Sequence, residues 1–308
     1  MNKEISILIP THERPQLLDR ALDSLINQKN VKINCIVSDN GINEEARSVT
    51  KKYSNLSSNL SITYLKNKNP KPFQNWKNLI SNKIDTQYSK FLFDDDWLVE
   101  GSLNTMLNDI ESLKADSVVY NTNIYAKVFN FQPINSYYKS KETKLTPNKV
   151  INSVLRVEDP FPITPSASIV TTDYLTDSIL FSEKNSNCTE LAIGNDLIMN
   201  YYPTFKSGNS YFLNKNIVNL WGGDDSITIN TPNGSLLSFC YLESLIYLIE
   251  NFEIKTTLLQ NKLINHKIFT NNFKSFFDSE ISFFNNSKVF KSKLAIDQLL
   301  ISLKKYKI

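Results

Sequence analysis

Asp94, Asp95 and Asp96 stand in a row behind the apolar run of residues 88–93 and ahead of Trp97-Leu98. Such a run places dense negative charge where a buried strand is expected to meet solvent. Adjacent carboxylates repel one another, so a cation or hydrogen-bond donors are expected to stabilise them, and hard oxygen donors favour Mg²⁺ or Mn²⁺. Taken alone, the run also reads as an acidic turn after a strand. Two more polar clusters share its setting: Thr11-His12-Glu13-Arg14 follows the run Ile5-Ser6-Ile7-Leu8-Ile9-Pro10, and Ser38-Asp39-Asn40-Gly41 follows a run at 33–37. Asp39 before Asn40-Gly41 also suits an Asx-turn. A fourth carboxylate, Asp196, lies near the start of an apolar helical pattern, where it can cap the helix or act as a base.

The elements that must hold these residues alternate. Short β-branched runs at 5–9, 33–38, 60–65, 90–93 and 116–120 read as buried strands. Between them helices are expected from Pro15 to Ile26, with an apolar stripe from Leu17 to Ile26, and near 43–54, 73–82 and 100–113. Strand–helix alternation predicts βαβ units, a mostly parallel sheet, and ligands at the carboxyl ends of the strands, where the three polar clusters lie. From about 122 to Pro165 the pattern turns short, aromatic and irregular. A helix at 191–202, strands at 210–213 and 217–220, a turn at 231–234 and a helical remainder follow.

Charge and cysteines exclude several classes. The net charge of the 308 residues is only +3. Residues 251–308 nevertheless carry ten Lys against four Asp and Glu, so this end is basic while the body is mildly acidic. Contact with anionic headgroups is one use of such an end and a solvated helical face is another. The basic excess is far from that of a nucleic-acid-binding domain, and no recognition motif is present. Cys35, Cys188 and Cys240 are widely spaced and odd in number, which predicts reduced thiols in a cytosolic protein. The N-terminus has no signal-peptide pattern. The apolar stretch 236–249 is broken by Ser238, Glu243 and Ser244 and falls short of the roughly 20 residues of a membrane span, so a buried helix is expected.

The ordered series Ile7-Leu8-Ile9-Pro10-Thr11-His12-Glu13-Arg14-Pro15, Ile36-Val37-Ser38-Asp39-Asn40-Gly41 and Phe91-Leu92-Phe93-Asp94-Asp95-Asp96-Trp97-Leu98 resembles the family 2 glycosyltransferases, well over residues 4–120 and loosely over 160–230. The resemblance implies an α/β GT-A (Rossmann-like) fold with a mostly parallel central sheet flanked by helices. It divides the chain into a nucleotide-sugar-binding half (1–120), an acceptor-binding and catalytic half (121–233) and a C-terminal helical region (234–308). It implies donor contacts from Pro10, Thr11, His12, Glu13, Asp39, Asn75, Asp94 and Asp95, with Asp39 accepting the N–H of a pyrimidine. The metal, Mg²⁺ or Mn²⁺, falls to Asp96 with Asp94, and the catalytic base to Asp196, with Glu190 as substitute. This chain departs from the family pattern at Glu13, where Asn is frequent, and in 67–76, which lacks the usual Gly and Arg. It also lacks the downstream metal-binding His, for which either Asp224 or water and phosphate oxygens stand in.

The activity implied is metal-dependent, inverting transfer of a sugar from a nucleotide-diphosphate sugar to a hydroxyl of a saccharide or lipid-linked saccharide, in bacterial surface polysaccharide synthesis. The enzyme is expected to be cytoplasmic, with peripheral membrane contact through the basic end and its Phe269, Phe273, Phe276, Phe277, Phe283 and Phe284. The competing readings are a sugar-nucleotide nucleotidyltransferase, disfavoured because no glycine follows the first strand, and a non-catalytic carbohydrate-binding relative.

Overall fold

A computed structural model describes residues 3–54, 56–135, 138–185, 192–223, 234–258, 260–262 and 264. Its first half follows the expected alternation: β1 (Lys3–Thr11), α1 (Pro15–Ile26), β2 (Val31–Asp39), α2 (Glu45–Tyr53), β3 (Leu60–Lys66), α3 (Pro72–Leu79) and β4 (Tyr88–Phe91). Next come β5 (Trp97–Leu98), α4 (Ser102–Leu113), β6 (Ser117–Ala126), β7 (Pro133–Ile134), β8 (Thr143–Leu145), α5 (Pro147–Leu155) and β9 (Ser168–Thr171). The described part closes with α6 (Thr172–Ser182), α7 (Asn195–Lys206), β10 (Ser210–Gly222) and α8 (Gly234–Asn251).

The main sheet runs β3-β2-β1-β4-β9-β6-β10-β5, with β7 added on β6 and β8 on β10. β1 pairs in parallel with β2 and β4, and β6 with β10; β9 is antiparallel to both β4 and β6. β1 alternates across the sheet as a strand must. Ile5, Ile7 and Ile9 face a core shared with Leu18, Ala21 and Leu22 of α1 and Met106 of α4. Leu8 faces the opposite layer with Phe73 and Trp76 of α3 and Leu175 and Ile179 of α6. Pro15 opens α1, where its missing N–H costs nothing. The β1–β2 register sets Thr11 opposite Asp39, so two of the polar clusters end at one level.

The structure corrects several elements. The two strands expected at 210–213 and 217–220 are one, β10, whose register shifts near Asn214-Lys215-Asn216. That polar triplet reads as a turn, but a bulge absorbs it. The stretch expected to be irregular contains α5, capped by Thr146, which accepts from Lys149 N at 3.4 Å. α6 and β9 were not foreseen: β9 has four residues, too few to show a period. α7 begins at Asn195 rather than 191 and runs on through Pro203 to Lys206.

α8 is a buried helix as expected, with Leu242, Leu245, Leu248 and Ile249 in a core with Leu197, Ile198 and Tyr201 of α7. Among the described residues no helix is long and apolar enough to cross a membrane. The phenylalanines from Phe269 to Phe284 lie outside the described residues, as do Cys188, Glu190 and Asp224.

Candidate functional site

The carboxyl ends of β1, β2 and β4 bring the first two clusters and the acidic run together. After Phe91 the chain stays beside β1 for one more step, Leu92 N donating to Leu8 O at 3.0 Å, and then turns. Asp94 therefore meets Thr11, whose hydroxyl donates to it at 2.7 Å. Arg14 closes on the same carboxylate with Nη2 at 2.5 Å and Nε at 3.2 Å, and reaches Asp95 through Nη1 at 3.2 Å. Burial drives the Asp94 proton affinity upward and Arg14 opposes it. With both oxygens held inside the protein, Asp94 is a brace between β1 and the acidic turn.

Asp39 is buried and fully engaged. Its Oδ1 accepts from Gly41 N at 2.8 Å, the Asx-turn, while Oδ2 accepts from the Tyr64 hydroxyl at 2.6 Å and Lys66 Nζ at 2.9 Å. Burial, and then Asp39 itself, push the Tyr64 phenol far up, which keeps it a donor. His12 and Glu13 are exposed beside this group. His12 Nδ1 lies 3.1 Å from Asn40 Oδ1, and Glu13 Oε1 accepts from Ile42 N at 3.1 Å. Glu13 has φ 51°, a left-handed conformation that costs a non-glycine residue about 1–3 kcal/mol and concentrates at functional loops. Pro10 is buried in β1 one residue before this turn.

Asn75, expected to contact the diphosphate, is 3 % exposed, and its amide donates to the carbonyls of Thr11 and Ser38, both at 3.0 Å. Its oxygen accepts from Ser38 Oγ at 2.6 Å. Asn75 ties the ends of β1 and β2 together.

Asp96 sits where three segments meet. Trp221 N of β10 donates to its Oδ1 at 3.2 Å, and Ser166 lies beside its carboxylate and favours the charged form. Ser166 also accepts from Phe93 N at 3.1 Å, and its carbonyl accepts from Lys90 Nζ, which donates again to Ser168 O at 3.1 Å. Lys90 has no exposed surface; burial pushes its ammonium down to about 7, with Asp96 pulling the other way. Burial, then Asp95, pushes Asp96 well above the usual carboxylate range. Arg20 adds cationic character on the other side, with Nη2 2.7 Å from Asp95 O and its guanidinium 4.1 Å and 4.5 Å from the Trp97 and Trp221 rings.

Asp196 stands in the first turn of α7, after Gly194 with φ 84°. Its Oδ1 accepts from Leu197 N at 2.9 Å and its Oδ2 from the Tyr241 hydroxyl at 2.9 Å. Burial pushes it up to about 6, against the pull of Tyr241 and the backbone N–H groups around it. A carboxylate so placed is ionised at neutral pH and still has appreciable proton affinity, which suits a general base. The loop carrying Pro162 and Ser166 links it to the acidic turn: Asn200 Nδ2 and the Tyr201 hydroxyl of α7 both donate to Pro162 O, at 2.8 Å and 2.6 Å, while Ser166 contacts Asp96.

Arg20, Lys90, Ser166 and Tyr241 escaped sequence reasoning as functional residues, and Arg14 received no role. Lys90 left a signal, since a lysine inside a buried strand requires a partner. Among the described residues no cluster of three His, Cys, Asp or Glu side chains could hold a metal unaided. Asp96, raised in proton affinity beside Asp95, offers the hard oxygen donor that a divalent ion would need.

The chain matches the profile of Glycosyl transferase family 2 over residues 6–168, more than half its length. It is 33% identical over 106 residues to the GalNAc(5)-diNAcBac-PP-undecaprenol beta-1,3-glucosyltransferase of Campylobacter jejuni, covering 34% of this chain and 33% of that protein. It is 24% identical over 143 residues to Glycosyltransferase GlyA of Streptococcus pneumoniae, covering 45% and 20%. The matches thus span a third or less of these curated relatives. Among solved structures, Staphylococcus aureus TarS 1-349 matches with a TM-score of 0.62 and 15% identity over 97% of this chain and 78% of that one. The same protein in complex with UDP-GlcNAc matches with a TM-score of 0.63 and 15% identity, over 95% and 77%. The likeness fixes the fold as GT-A.

Proposed function

Because the chain belongs to glycosyl transferase family 2, we propose that it transfers a sugar, with inversion, from a nucleotide-diphosphate sugar to a saccharide hydroxyl. The observation that carries this reading is the loop of Pro162 and Ser166, which meets the helix of Asp196 through Asn200 and Tyr201 at one end and lies beside Asp96 at the other. Thr11 and Asp39 end at one level of the sheet and form the floor for the nucleoside. A divalent ion, Mg²⁺ or Mn²⁺ held by Asp96, would supply Lewis-acid stabilisation of the departing diphosphate. Asp196 takes the proton of the acceptor hydroxyl as that oxygen bonds to the anomeric carbon and the bond to the diphosphate breaks on the opposite face. A positioned base of this kind is worth typically about 10²–10⁴-fold in rate.

UDP-GlcNAc is the first donor to test, because TarS was crystallised with it. A lipid-linked saccharide acceptor is supported by the undecaprenol-linked saccharide named for the Campylobacter relative. The basic balance of 251–308 supports shallow contact with an anionic membrane surface on the cytoplasmic side, where such an acceptor is met. The test is a thermal-shift screen of the full chain against UDP, UDP-GlcNAc and other nucleotide sugars, with and without Mn²⁺. Ligand at about 100 times Kd stabilises by about 2.7 kcal/mol. A metal-dependent rise that Asp96→Ala abolishes is expected; a rise that Asp96→Ala leaves intact overturns the metal assignment.

A further inference from the structure

The family match ends at residue 168, yet the helix α8, at Gly234–Asn251, reaches the candidate base. A Cβ added to Gly194 would lie 2.5 Å from Ser244 Oγ and 2.6 Å from Cys240 O, so α8 lies directly against the turn that leads into Asp196. Ser244 also accepts from Asn185 Nδ2 at 3.2 Å, pinning the helix to the segment after α6. One turn of α8 thus puts Cys240, Tyr241 and Ser244 on the face that meets the base.

We propose that Tyr241 is a positioning residue for Asp196, and that α8 is for this reason part of the catalytic unit. Asp196 Oδ1 is held by Leu197 N of its own helix and Oδ2 by the Tyr241 hydroxyl, the side-chain donor on the carboxylate, both at 2.9 Å. Two donors on opposite oxygens fix the carboxylate plane, and each oxygen keeps a lone pair for an incoming hydroxyl. With Tyr241 absent, the carboxylate is held by the backbone N–H groups of its own turn and by no side chain from α8. Tyr138 and Cys240 are the titratable neighbours of the Tyr241 hydroxyl, and burial holds the phenol protonated, so it donates throughout the working pH range.

This inference rests on the reading of Asp196 as the base, and the two are tested separately. The first measurement needs no substrate: the ¹³Cγ signal of Asp196 in the full chain, assigned by its loss in Asp196→Asn, is titrated in the parent and in Tyr241→Phe. Loss of one hydrogen bond to the charged form moves the titration upward by about one pH unit. An unchanged midpoint overturns the proposal, and so does a downward move, which reports loosening of α8 and entry of water. The second measurement is UDP release from UDP-GlcNAc with Mn²⁺ and water as acceptor. Tyr241→Phe is expected to lower kcat with KM for the donor unchanged, and to have no further effect in the Asp196→Asn background. A raised KM with unchanged kcat overturns it. Normal release by Asp196→Asn alone sinks the base reading, while the titration still decides whether Tyr241 holds the carboxylate.

Discussion

Replacing Asp196 by Asn should make the protein more stable while disabling it. The folded carboxyl is raised from 3.8 to about 6, chiefly by burial. At roughly 1.4 kcal/mol per pH unit the ionised side chain costs about 3 kcal/mol at neutral pH. The side chain keeps some contact with water, which brings the expected gain to about 1–2 kcal/mol. Asn keeps one acceptor oxygen for Leu197 N, and its amide donates to the Tyr241 oxygen once that hydroxyl turns, so both contacts persist with the second reversed. The sign follows from the raised value: protonation favours the folded state below about pH 4, and this contribution is lost as pH rises through about 6. Denaturant unfolding of parent and variant should therefore coincide near pH 4 and separate by the full amount at pH 7, with the variant the more stable. Transfer should fall by at least about 10²-fold, and kcat/KM of the parent should drop about fivefold between pH 6 and pH 5. Equal stability at pH 7, or a variant that is less stable, refutes the account of Asp196 as a desolvated base.

Asp39→Ala should weaken UDP binding in calorimetry at least about tenfold, because it removes the acceptor and releases Tyr64 and Lys66; unchanged affinity would place the base elsewhere. Gly194→Ala should cost about 2–4 kcal/mol, since its φ of 84° and its 2.6 Å approach to Cys240 O leave no room for a methyl group, and an unchanged unfolding midpoint would contradict the packing of α8. Lys90→Met should remove a stability gain of about 1.4 kcal/mol per pH unit between pH 7 and pH 9. The sign follows because a depressed lysine binds its proton less readily folded than unfolded; parallel pH profiles for parent and variant would argue against the depressed lysine.

The first half was legible because its strands are continuous apolar runs stopped by Pro10, Asp39 and Asp94, and a buried parallel strand has no other way to look. Asp196 was singled out through its place in a family pattern. What could not be read depends on contacts between distant segments. Asn75 and Asp94 have the residue types of ligands, and only the approach of Thr11, Ser38 and Arg14 turns them inward. Tyr241 lies 45 positions from Asp196 in an apolar helix, where a tyrosine signals burial and nothing more. β10 was cut in two because Asn214-Lys215-Asn216 satisfies the local rules for a turn, and the pairing with β6 overrides them.

β9 carries a consequence for how the chain is made. It fills the gap between β4 and β6, pairing Ser89 with Val170 on one side and Val118 with Ile169 on the other. Until residues 168–171 leave the ribosome, the two parts of the sheet have no strand to join them. Each then shows an open edge with Phe91 on one and Val118 and Val119 on the other, the kind of apolar edge that pairs with other chains. A fragment trimmed to the family match at 6–168 keeps both edges and lacks their partner. Such a fragment should aggregate during expression, whereas one extended past α8 brings the joining strand and the helix that meets Asp196.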